Sequence, residues 1–117
     1  MSRRDDRTTL RQMLDHLEEA IALSEGRSQP EFESNRMLYF AMLKLVEIVG
    51  EAATRLSESL RAAHPEIPWR EIIGTRNRLI HGYDSVDCSI LWDIVTGDFP
   101  PLAAQIKAVI RSEKRLP

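Results

Sequence analysis

Between Pro30 and Ala62 the chain places apolar residues almost all the way round a helix. At about 100° per residue, Lys44, Glu47, Glu51, Arg55 and Glu58 fall on one narrow side. Leu38, Ala41, Met42, Leu45, Val46, Ile48, Val49, Ala52, Ala53 and Leu56 cover most of the rest. A helix apolar around so much of its girth needs partners on two sides. One side is a bundle core, and the expected occupant of the other is a second subunit. Gly50, with Ala52 and Ala53 beside it, permits a close helix approach. The spacing predicts a single helix of about thirty residues, a rod of roughly 45 Å. Ser28 and Glu31 stand at capping-box spacing before it. His64-Pro65 stops it, because the residue before proline disfavours helical dihedrals.

The remaining segments are also helical in period. Leu10, Met13, Leu14, Leu17, Ala20 and Ile21 form one apolar stripe, with Arg11, Asp15, Glu18 and Glu19 turned to water and Gly26 as the stop. A rigid connector, Pro65-Glu66-Ile67-Pro68-Trp69, leads into a helix from about Trp69 to His81, with Pro68 suited to its first turn. A short helix is expected from about Asp87 to Val95, with Ile90, Leu91 and Ile94 inward. Gly97-Asp98-Phe99-Pro100-Pro101 should break the chain. A last helix from about Pro101 to Ser112 carries Leu102, Ile106, Val109 and Ile110. Nothing alternates with period two over a useful length. The expected fold is all-α, an up-and-down bundle of about five helices with one long central helix. It forms a single domain over residues 1–117.

Composition narrows the function. The formal net charge is −2. A chain that coats nucleic acid by bulk charge is basic, so any contact with nucleic acid must be local. The lone Cys88 cannot close an intrachain disulfide, which fits a reducing compartment. The N-terminus lacks the apolar run of a secretory signal, and no window approaches the ~20 apolar residues that span a bilayer. A cytoplasmic protein without a membrane partner is expected. There is no zinc spacing, phosphate-binding glycine loop or nucleophile elbow, so neither a metal nor a cofactor is expected. His16 reads as solvated, His64 as a helix-end cap, and Trp69 and Trp92 as packing residues.

The chemistry concentrates in Arg76-Asn77-Arg78-Leu79-Ile80-His81-Gly82-Tyr83. Each residue has a plain structural alternative. Arg76 lies in a stripe formed by Ile72, Ile73, Leu79 and Ile80, where a guanidinium is costly unless paired; Glu47 or Glu51 could pair with it. His81 could simply cap a helix C-terminus, Asn77 could face solvent, and Tyr83 could pack after the Gly82 turn. Yet four such groups fall within two turns. Together they suit RNA cleavage by the ribose 2′-OH, which needs a base, an acid and positive charge on the phosphoryl oxygens. Imidazole suits the proton work, its unperturbed pKa being ~6.5. Arg76 can bind phosphate bidentately, and Asn77 can orient the imidazole or the phosphate. Arg70 and Arg78 are further candidates for RNA contact. Arg76 and His81 are about 140° apart on one helix. The site is therefore expected where this helix meets a second subunit, with two copies of His81 about one cleft.

Arg76-x4-His81-x-Tyr83 resembles the R-x4-H-x-Y motif of the HEPN superfamily, and of the HepT toxins in particular. Ile48-Val49-Gly50-Glu51-Ala52-Ala53 is similar to that family's IGEAA segment, and Ile67 to Gly74 to its IPW lead-in. Leu91-Trp92-Asp93-Ile94 through Asp98-Phe99-Pro100 is similar to its next segment, so the likeness covers most of residues 5–113. The resemblance implies a HEPN-like helical homodimer that cuts RNA without metal. It also implies a toxin of a type VII toxin–antitoxin system, paired with a minimal nucleotidyltransferase antitoxin. Arg76 and His81 carry over as catalytic groups, and Asn77 more loosely. Tyr83 carries over as the tyrosine to which the antitoxin transfers AMP from ATP. The rival expectation is a non-catalytic helical module that docks a nucleotidyltransferase and leaves the chemistry to it.

Overall fold

The computed structural model describes residues 3–80 and 88–114. They form helices throughout, with no strand among the described residues. Helix α1 spans Arg3–Ser24, with Asp5 and Asp6 in its first turn, where acids favour the helix dipole. Leu10, Met13, Leu17 and Ala20 are completely buried, whereas Leu14 and Ile21 flank the stripe half-buried. Gly26 ends α1 at φ +71°, a left-handed conformation that glycine adopts without Cβ strain.

The expected thirty-residue rod is three helices: α2 (Gln29–Ser34), α3 (Arg36–Arg55) and α4 (Glu58–Ala63). Ser28 caps α2, its Oγ accepting from the Glu31 amide. Asn35 makes the first break. Its amide donates to the Glu31 carbonyl at 3.0 Å, closing α2, and its Oδ1 accepts from the Leu38 amide at 3.0 Å, opening α3. One short polar side chain thus offers the backbone an alternative to continuing the helix. The second break is at Leu56, whose ψ of 143° is extended. Ser57 then caps α4 by accepting from the Leu60 amide. Asp6, from the far end of α1, holds this corner: its Oδ1 accepts from the Ser57 amide at 2.9 Å and its Oδ2 from the Ser57 hydroxyl at 2.6 Å.

Helix α5 spans Trp69–Ile80. Helix α6 (Cys88–Asp93) passes into a π-helical turn, Ile94–Asp98, and then into α7 (Phe99–Lys114). The expected break at Gly97–Pro101 is therefore a change of helical pitch. The Phe99 amide reaches back five residues to the Ile94 carbonyl. The wider π-turn gives Pro100 and Pro101 room at the start of α7, where their missing N–H groups are tolerated.

The main packing order across the bundle is α7, α1, α3, α5, and α6 lies against α2. Gly50 is buried on α3, and a Cβ there would stand 3.2 Å from the Ile72 carbonyl of α5. The small-residue segment on α3 thus serves the close approach of α5. The outward side of α3 keeps Met37 84 % and Phe40 47 % exposed, with the Arg36 guanidinium 4.9 Å from the Phe40 ring. No helix among the described residues is long and apolar enough to cross a membrane.

Candidate nucleic-acid interface on helix α5

Helix α5 is anchored at its start. The Pro68 carbonyl accepts from the Ile72 amide at 3.0 Å, so Pro68 caps the helix one residue ahead of its first turn. The buried Trp69 donates its indole N–H to the His64 carbonyl at 3.0 Å. The His64 ring lies 3.5 Å from Glu66 through Nδ1 and 3.5 Å from Glu113 of α7 through Nε2. His64 is thus a cap whose ring also spans from the connector to the last helix. His16 sits 3.4 Å from Glu19 on α1. Trp92 packs against Phe32, their ring centroids 5.8 Å apart. Cys88 is half-buried, with its thiol free of any disulfide.

The buried seam of α5 is Ile72, Thr75 and Leu79, with Ile73 half-buried. Thr75 was not an obvious inward residue. Its hydroxyl donates to the Glu71 carbonyl at 2.8 Å, which satisfies the polar group and lets the methyl pack inward. The signal was present in the spacing, since Thr75 is three residues after Ile72 and four before Leu79. Because Thr75 rather than Ile73 completes the seam, the backbone position of Arg76 lies about 65° from its centre. Arg76 therefore stands at the seam's edge and not in its middle.

Arg70, Gly74 and Asn77 occupy the opposite side of α5, within about 60° of arc. Arg70 is exposed, and a Cβ on Gly74 would meet nothing within 4 Å. The backbone of Arg76, Asn77 and Arg78 is helical, but their side chains lie outside the described set. His81 and Tyr83 lie outside the described residues altogether. The pairing of Arg76 with the half-buried Glu47 or the exposed Glu51 thus lies outside the described contacts.

Among the described residues two clefts flank α5, and their charges differ. One, of about 380 Å³, runs between α3, α5 and the π-turn. Glu71 and Asp98 line it, and no Lys, Arg or His does so among the described residues. The other, of about 390 Å³, lies between α4 and α5 and is lined by Glu58, Arg61, Trp69, Arg70 and Ile73. The first lining carries two carboxylates, which disfavour an anion, and the second carries two arginines against one glutamate, which favour one. Arg61 is a residue that spacing alone did not single out; the break at Ser57 starts α4, whose last turn sets Arg61 beside α5. Among the described residues no group of three His, Cys, Asp or Glu side chains could hold a metal ion.

Similarity to known proteins extends over most of the chain. The pattern of a family described as ribonuclease HepT-like matches residues 13–109. A Methanocaldococcus jannaschii protein named a "Putative RNase" is 34% identical over 109 residues, covering 93% of this chain and 100% of its own. A Caldanaerobacter subterraneus protein of the same description is 34% identical over 108 residues, covering 92% of this chain and 96% of its own. A Thermococcus cleftensis protein named "Probable ribonuclease HepT" is 36% identical over 98 residues, covering 80% of this chain and 89% of its own. No solved structure matches the chain.

Proposed function

Because the chain belongs to the HepT-like ribonuclease family, we propose that it is a metal-independent RNA endonuclease, the toxin of a toxin–antitoxin pair acting in the cytoplasm. The observation that carries this reading is the R-x4-H-x-Y octapeptide, Arg76 to Tyr83, inside a family match of residues 13–109. In the proposed reaction the ribose 2′-oxygen attacks the adjacent phosphorus as its proton passes to one His81 imidazole. The 5′-oxygen leaves with a proton from His81 of a second copy. The products are a 2′,3′-cyclic phosphate and a free 5′-hydroxyl. Arg76 neutralises the non-bridging oxygens as charge grows on them, Asn77 orients the imidazole or the phosphate, and Arg78 contacts the flanking backbone.

Two features support a homodimer. Arg76 and His81 are about 140° apart on a single helix, so one copy of α5 does not bring them to one phosphate. Met37 and Phe40 stand exposed on α3, as residues of an association surface do. Inhibition follows from Tyr83. An antitoxin nucleotidyltransferase would join the tyrosine oxygen to the α-phosphorus of ATP, releasing pyrophosphate. The AMP left behind carries bulk and negative charge to where the RNA phosphate binds.

The deciding experiment incubates purified protein with RNA in EDTA, beside a His81→Ala control. Cleavage by the wild type alone is the expected result. Inactivity of both, with tight binding to the nucleotidyltransferase, leaves the non-catalytic docking module in its place. Co-expression with the antitoxin should add one or more adenylate masses to the peptide containing Tyr83. A Tyr83→Phe chain should remain unmodified and toxic.

A further inference from the structure

We propose that Arg61 and Arg70 form a phosphate clamp that holds the RNA strand a few nucleotides from the scissile bond. The proposal rests on the ribonuclease reading for its ligand and adds a binding residue, Arg61, that the catalytic motif does not contain. The two arginines come from different helices and border one cleft, Arg61 from the last turn of α4 and Arg70 from the first turn of α5. Trp69 and Ile73 supply its apolar floor, against which a ribose can rest. Arg61 Nε is buried and has no hydrogen-bond partner. A guanidinium nitrogen left without an acceptor is costly, and a phosphate held by the other nitrogens of the same guanidinium would offset part of that cost.

The position relative to the motif favours RNA. Arg70, Gly74 and Asn77 share one side of α5, so the cleft opens along the line that carries Asn77, about 10 Å further on. Gly74 leaves that line unobstructed, since a Cβ there meets nothing within 4 Å. The cleft on the other flank of α5 carries Glu71 and Asp98 and would reject the strand. Glu58 also lines the clamp, so its local balance is one net positive charge. That is enough for one phosphate and too little for non-specific coating, in keeping with a chain whose net charge is −2.

The test measures binding of a labelled single-stranded RNA to the His81→Ala protein by fluorescence anisotropy across a salt series. Adding Arg61→Ala or Arg70→Ala should weaken binding several-fold and lower the slope of log K against log salt by roughly 1. Arg61→Lys should keep the slope and lose affinity, because it keeps the charge without the fork. In the active protein the same changes should raise KM and leave kcat nearly unchanged. Circular dichroism melts report folding; should Arg61→Ala not fold, Arg61→Lys and the exposed Arg70→Ala decide. Unchanged affinity and slope in folded variants overturn the clamp, even where the wild type cuts RNA in EDTA. Binding without cleavage by the wild type overturns the ribonuclease reading instead, and the clamp is then judged on the binding slopes alone.

Discussion

Asp6 is 6 % exposed, yet it is a carboxylate, and both its oxygens accept hydrogen bonds from Ser57. Removing one partner of a buried charge-assisted bond strands the other, so Asp6→Ala should cost about 1–3 kcal/mol in urea unfolding. Ser57→Ala loses the hydroxyl bond and the α4 cap together. The double variant should cost clearly less than the sum of the two single ones, as expected for partners in contact. Gly50 presents a different constraint. A Cβ there meets the Ile72 carbonyl at 3.2 Å, and a backbone acceptor cannot swing aside as a side chain can. Gly50→Val, with its extra branching, should destabilise by about 1–3 kcal/mol and lower cleavage by shifting α5. The importance of Gly50 was legible, since a small residue in an apolar stripe signals a close neighbour. The role of Asp6 was not, because its partner lies 51 residues away and no local pattern encodes it.

At the level of the helices, Asn35 stands at the junction of two elements. It closes α2 and opens α3, so Asn35→Ala should cost about 0.5–2 kcal/mol and lower the exchange protection of the Leu38 amide. Its reading from sequence failed because asparagine is only mildly unfavourable inside a helix; nothing local separates a cap from a tolerated interior residue. The prolines misled in the opposite sense. Pro100 and Pro101 marked a helix boundary correctly, but the chain passes that boundary through a π-turn instead of a loop. The stripe from Leu10 to Ala20 and the stop at Gly26 were legible, because burial follows a period of 3.6 and the left-handed turn requires glycine. On α5, Arg70 lies exposed as its spacing implied, while the inward turn of Thr75 depended on a bond to its own helix.

At the scale of the molecule, α5 lies at one end of the main packing order and packs chiefly against α3 among the described residues. Arg70 is exposed on the side of α5 turned away from its buried seam. If two copies of His81 divide the proton transfers, a dimer with one His81→Ala subunit should be nearly inactive rather than half active. After subunit exchange, residual activity should then fall with about the square of the wild-type fraction; a linear fall would show that each subunit cuts alone. The corner held by Asp6 has a consequence for synthesis. The clasp joins the first turn of α1 to Ser57, the cap of α4, and both partners precede α5 in the chain, so they leave the ribosome before it does. The scaffold of α1 and α3 can therefore begin to dock before α5 has emerged, and α5 then meets a surface already forming. The order of the genetic text thus presents the platform before the helix that packs on it.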